Sequence, residues 1–141
     1  MFDVNPATGA ITMHQGDTGS FTVQAARASG EPWTENDRML YTIKNATGTI
    51  VLKRIYRLDD AFGLGDGVVL IQFHNNDTDT WEPGQYTTER RYDIAPIWES
   101  GEAPEGACVD ALATGDRMTD GGIVRTTFQG TLEIKSIQGE I

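Results

Sequence analysis

Apolar and polar residues alternate with a period of two along most of this chain. From Gly19 onward Phe21, Val23 and Ala25 point one way, while Ser20, Thr22 and Gln24 point the other. That spacing predicts a half-buried strand, one face on a core and one in water. Gly16 and Asp17 precede it; both are turn formers, so Met13–Val23 reads as a turn followed by a strand. The rule recurs. Ile11 and Met13 mark a short first strand, Gly19–Arg27 the second, and Met39–Lys44 the third, with Met39, Tyr41 and Ile43 sharing a face. Thr49–Leu58 alternates less regularly. Gly67–Phe73 is the most apolar run and rich in β-branched residues, which predicts a central strand. Gly84–Ile97 reads as a long strand or a bent pair, with Tyr86, Thr88, Arg90, Tyr92 and Ile94 on one parity. A closing hairpin is expected, with Ile123–Phe128 against Leu132–Ile137 across Gln129-Gly130.

The segments between these runs carry turn chemistry. Residues 1–9, with Asn5-Pro6 and Gly9 as breakers, read as a flexible N-terminal arm ahead of one domain over 10–141. Asn45–Gly48 is a hairpin-type turn, Asp59–Gly67 is turn-rich, and Asn75–Pro83 is a polar loop holding Trp81. Pro96 lacks an N–H and belongs at a strand end, an edge or a bulge. Residues 98–122 show no sustained period and read as one long loop, with a helical turn or two at Cys108–Ala113. About eight short strands without a strong helix predict an all-β protein, an antiparallel sandwich with a barrel as the alternative.

Composition narrows the function classes. The 141 residues carry 21 acids against 11 bases, a net charge of −10, which repels phosphate backbones and anionic membranes. There is no long apolar run for a transmembrane helix, and MFDVNPATGA lacks the basic and apolar parts of a signal peptide. The single Cys108 excludes an internal disulfide and is too few for structural zinc, even with His14 and His74. Asn45-Ala46-Thr47 and Asn76-Asp77-Thr78 match the glycosylation triplet by chance on this reading.

Candidate chemistry is sparse. Asp77-x-Asp79 begins like a calcium loop, but Trp81 takes the third ligand place and the loop glycine is missing, so solvated turn acids are the expectation. No carboxylate spacing favours a hydrolytic pair, and no GxSxG elbow is present. Cys108 has no nearby His and sits among acids that raise a thiol's pKa. The expectation is therefore no enzyme, no cofactor and no metal. Trp33, Trp81 and Trp98 all lie in or beside loops, where they can cap the core, anchor a protein contact or stack on a sugar. Arg90 and Arg91 form the one local basic pair. These five, with Cys108, are the candidate partner contacts.

The order of motifs resembles that of small phage and prophage structural proteins, similar to the N-terminal domain of the upper baseplate protein of lactococcal phages. The matching residues are Gly16-Asp17-Thr18 and Phe21-Thr22-Val23; Gly30-Glu31-Pro32-Trp33 with Asn36-Asp37; and Leu40-Tyr41-Thr42-Ile43-Lys44. Pro83-Gly84-Gln85-Tyr86, Tyr92-Asp93-Ile94 and Thr126 through Gly130 to Leu132-Glu133-Ile134 follow. Thr87–Arg91 and residues 98–122 are longer here than in that pattern. The resemblance implies an immunoglobulin-like sandwich without an active site, acting in the virion as a tail or baseplate assembly domain. Its partners would be particle proteins or further copies of itself. A carbohydrate-binding module using Trp81 or Trp98 is the alternative.

Overall fold

The computed structural model describes residues 2–5, 7–27, 30–60, 63–94, 97–98, 108–110, 118–119 and 125–136. Among them are eleven strands and one helical turn. In chain order these are β1 (Phe2–Val4), β2 (Ile11–His14), β3 (Gly19–Gln24), β4 (Arg38–Lys44), β5 (Ile50–Arg57), β6 (Val68–Phe73) and α1 (Asn75–Thr78). Then come β7 (Gly84–Asp93), β8 (Ile97–Trp98), β9 (Cys108–Asp110), β10 (Met118–Thr119) and β11 (Arg125–Lys135). The protein is all-β, as the period-two pattern requires. One seven-stranded sheet runs β1-β2-β11-β7-β4-β5-β9, and β3 pairs with β6, and β8 with β10, as separate ribbons. No helix among the described residues is long and apolar enough to cross a membrane.

Alternation sets which face is buried. Met39, Tyr41 and Ile43 of β4, Tyr86 and Tyr92 of β7, and Leu132 and Ile134 of β11 share one cluster with Ile11 and Met13 of β2. Val69, Ile71 and Phe73 of β6 join the same cluster, with Phe21 and Val23 of β3 packed against it. The β3–β6 ribbon therefore lies on the inner face of the large sheet. On the opposite face of β4 and β5, Leu40 and Ile55 are also buried and directly cross-strand.

Several expectations are corrected. The sheet is mixed, because β11 runs parallel to β2. That register sets Leu132 beside Ile11 and Ile134 beside Met13, so both apolar parities meet on the core side. Residues 2–4, expected in a flexible arm, pair with Ile11–Met13. Asn5 helps build a hairpin loop instead: Asn5 Oδ1 accepts from the Ala7 amide at 2.9 Å, and the Asn5 amide donates to Ala10 O at 2.8 Å. β11 is one eleven-residue strand, not a hairpin, and pairs with β7 from Arg125↔Asp93 to Ile134↔Gly84. Gly130 serves space rather than a turn, since a Cβ there would stand 2.8 Å from Thr88 Oγ1 on the facing strand. β6, expected to be central, pairs only with β3 among the described residues. Its apolar residues are explained by contact with the large sheet beneath it.

The stretch expected as a loop over 98–122 contains Trp98 of β8, β9 and β10. Cys108–Asp110 is extended and pairs with Arg54–Tyr56, where a helical turn was expected. Pro96 lies outside the described residues.

Candidate functional site

The local fold around Trp81 begins in the turn after β2. Asp17 Oδ2 accepts from the His14 amide at 2.8 Å, and Gly16 takes a positive φ of 76° that other residues resist. This turn is clamped to the segment after β6. The Gly16 amide donates to Thr78 Oγ1 at 3.1 Å, and Gln15 Nε2 donates to Trp81 O at 2.7 Å. The single turn of α1 closes on itself, with Asp77 Oδ2 accepting from the His74 amide at 2.7 Å. The same carboxylate meets Arg54 at 2.9 Å. Asp77 is thus committed to a cap and an ion pair, and no group of three metal-ligating side chains occurs among the described residues.

Trp81 leaves this clamp half-buried and stacks on Tyr86, ring centroids 5.3 Å apart and planes 25° apart. Tyr86 is held in turn by its hydroxyl, which donates to Glu82 O at 2.7 Å. The pair borders a surface groove of about 300 Å³. Its other wall is the β4–β5 turn, where Asn45 Oδ1 accepts from the Thr47 and Thr49 amides at 3.1 and 2.9 Å. An aromatic platform facing amide and hydroxyl groups can take a sugar ring or a flat apolar side chain.

The other nominated residues part company. Trp33 is only 7% exposed. Its indole donates to Ala25 O at 3.0 Å and its amide to Asp66 Oδ1 at 2.9 Å, so it caps the core and offers no docking surface. Trp98 lies in β8 opposite Met118, and its side chain lies outside the described residues. Arg90 and Arg91 point to opposite faces, as adjacent strand residues must. Arg91 pairs with Asp93 at 3.0 Å on the outer face. Arg90 turns inward; its guanidinium stands 5.5 Å from the Phe128 ring and donates to Tyr92 Oη at 3.2 Å.

Cys108 is exposed as a residue, but its thiol faces Tyr56. Burial pushes the thiol up; Asp110 and Asp77 add to this, and Tyr56 and Arg54 oppose it. The direction is the one expected from sequence, although loss of water outweighs the acids as its cause. A thiol raised in this way is a poor nucleophile at neutral pH.

Sequence reasoning missed two features. One is the β3–β6 ribbon, whose strands read GSFTVQ and VVLIQF, without a charge or a proline. Each pairs on one side only among the described residues. The alternation of β3 signals the strand, but only the pairing shows that its edge is open. The other is Tyr41, read as sharing a face with Met39 and Ile43, whose buried hydroxyl has no hydrogen-bond partner among the described residues. No family model, curated protein or solved structure matches this chain.

Proposed function

We propose that this protein is a non-enzymatic assembly domain of a phage or prophage particle, working in the tail or baseplate by docking to neighbouring proteins or to further copies of itself. The observation that carries the reading is the β3–β6 ribbon. Open strand edges are normally blunted by charges, prolines or bulges. In a chain that is 23% charged, these two strands carry neither charge nor proline. Such an edge accepts an added strand from a partner, and repeated copies turn weak contacts into strong ones. The layering of the ribbon on the large sheet supports an immunoglobulin-like sandwich as the finer description of the fold. The order of turn and strand motifs supports the particle.

Sedimentation equilibrium of the full chain, and mass spectrometry of virions purified from a host carrying its gene, test this together. Concentration-dependent association, or the chain's presence in virions, is expected. Thr22→Lys should abolish association at an unchanged melting temperature, because Thr22 is exposed on β3. A strict monomer absent from virions overturns the proposal.

A carbohydrate-binding module is the second reading, favoured by the Trp81–Tyr86 stack beside the 300 Å³ groove. Glycan-array signal lost on Trp81→Ala would support it, and a blank array would remove it.

A further inference from the structure

Between β3 and the inner face of the large sheet is a second cleft, of about 230 Å³. Ile11, Phe21 and Val23 give it apolar walls. Polar side chains line it as well, among them Tyr41 from β4, and Thr88 and Arg90 from β7. Tyr41 and Arg90 are direct cross-strand partners.

Two of these polar groups have an unmet requirement. Tyr41 is 2% exposed, and its hydroxyl has no hydrogen-bond partner among the described residues. A buried hydroxyl left this way is costly, so such groups in native proteins have a reason. Burial pushes the Tyr41 phenol up, so it stays a neutral donor at physiological pH. Arg90 is the second case. Arg27, Arg54, Arg57 and Arg91 each have a carboxylate within 4 Å. Arg90 has none among the described residues, although acids outnumber bases 21 to 11. The third observation is Gly130, which also lines the cleft. It sits mid-strand, where glycine weakens a sheet, and its missing Cβ leaves the Thr88 hydroxyl its space.

A fixed cation, a buried neutral donor and a hydroxyl beside apolar walls match one ligand class. The anion would accept from Arg90 and Tyr41, and an apolar stem would displace water from Ile11, Phe21 and Val23. One arginine balances a single negative charge, not the two of a phosphate ester, and the chain's net −10 disfavours a denser anion. The volume lies below the roughly 300–1,000 Å³ of sites for drug-sized molecules, so the ligand is small. We propose that this cleft binds a compact monocarboxylate with an apolar stem, its carboxylate held by Arg90 and Tyr41. The site is separate from the β3 edge's role in assembly and stands or falls without it.

Amide proton–nitrogen correlation spectra of the full chain, titrated separately with benzoate, benzamide and sulfate, test the proposal. Benzoate should give saturable shifts centred on Phe21–Val23, Thr88 and Gly130. Benzamide, which has the same shape without the charge, should bind about ten-fold or more weakly, as expected for loss of a charged hydrogen bond. Sulfate should show no site. Arg90→Gln should weaken benzoate about ten-fold and erase the preference over benzamide, Tyr41→Phe should weaken it several-fold, and Arg91→Gln on the opposite face should leave it unchanged. The spectra of the variants report their own folding. The proposal is overturned by absence of saturable shifts, which would mean a cleft filled by water alone. Equal affinity for benzoate and benzamide, shifts centred elsewhere, or benzoate binding unaffected by Arg90→Gln would also overturn it.

Discussion

The N-terminal strand offers the sharpest test of the packing. Phe2 of β1 stacks near Phe21 and Phe73, with ring centroids 6.4 and 5.9 Å away. Its ring occupies the place where a Cβ on Gly19 would stand. Phe2→Ala removes a half-buried ring. Full burial would cost about 3–5 kcal/mol, so about 2 kcal/mol is expected here. Gly19→Ala should cost about 1–1.5 kcal/mol alone, because the new methyl expels the ring while the strand gains about 0.5–1 kcal/mol from replacing glycine. In the Phe2→Ala background that methyl has room, and only the gain remains. The double variant should therefore be more stable than Phe2→Ala alone, with a coupling of about 2 kcal/mol. Urea unfolding of the four proteins measures the cycle, and a melting-temperature series should show about 4 °C per kcal/mol. Single costs that add within about 0.5 kcal/mol would mean the ring does not cover Gly19. Residues 2–4 would then be the loose arm their sequence resembles.

Two further outcomes follow from the core. Gly67 has a φ of 73°, and a Cβ there would collide with Ala25 O and stand 2.8 Å from the Trp33 indole nitrogen. Gly67→Ala should cost about 3 kcal/mol or more, read by urea unfolding, with Trp33 fluorescence shifted towards that of exposed tryptophan; a loss under about 1 kcal/mol would contradict the close approach. In alkali, burial holds the Tyr41, Tyr56 and Tyr92 phenols above the ordinary value near 10. A raised folded-state value makes their stability contribution complete below pH about 10 and progressively lost above it. Melting temperature should fall above that pH as tyrosinate absorbance at long ultraviolet wavelength rises cooperatively, whereas tyrosines titrating near 10 without unfolding would refute the burial.

Local periodicity proved a good guide to faces and a poor one to partners. Phe21 and Val23, then Met39, Tyr41 and Ile43, then Tyr86 and Tyr92 all turn inward as their parity requires. The Asn45–Gly48 turn joins β4 to β5, with the Asn45 amide donating to Thr49 O at 2.9 Å. Long-range docking decided the rest. Gln129-Gly130 has the composition of a turn, yet it runs straight because β7 lies alongside and Thr88 needs the space. An apolar strand is central in most sheets; β6 is apolar because it lies over a larger sheet. Asn5 marks a break that a hairpin uses as well as an arm does. At the candidate surfaces, the opposite directions of Arg90 and Arg91 follow from strand geometry alone. The burial of Trp33 does not, since it depends on Gly67 and Ala25 coming together from separate segments.

The position of β11 has a consequence for synthesis. It lies between β2 and β7, so the sheet's middle is supplied by the strand that leaves the ribosome after every other described element. Until then β7 lacks its partner on one side and β2 lacks the parallel neighbour that buries Ile11 and Met13. A nascent chain must hold two incomplete halves in solution before one late insertion joins them. Strand pairings of such high sequence separation fold slowly and leave sticky edges exposed meanwhile. Truncation just before Arg125 should therefore yield an aggregating polypeptide rather than a smaller folded protein.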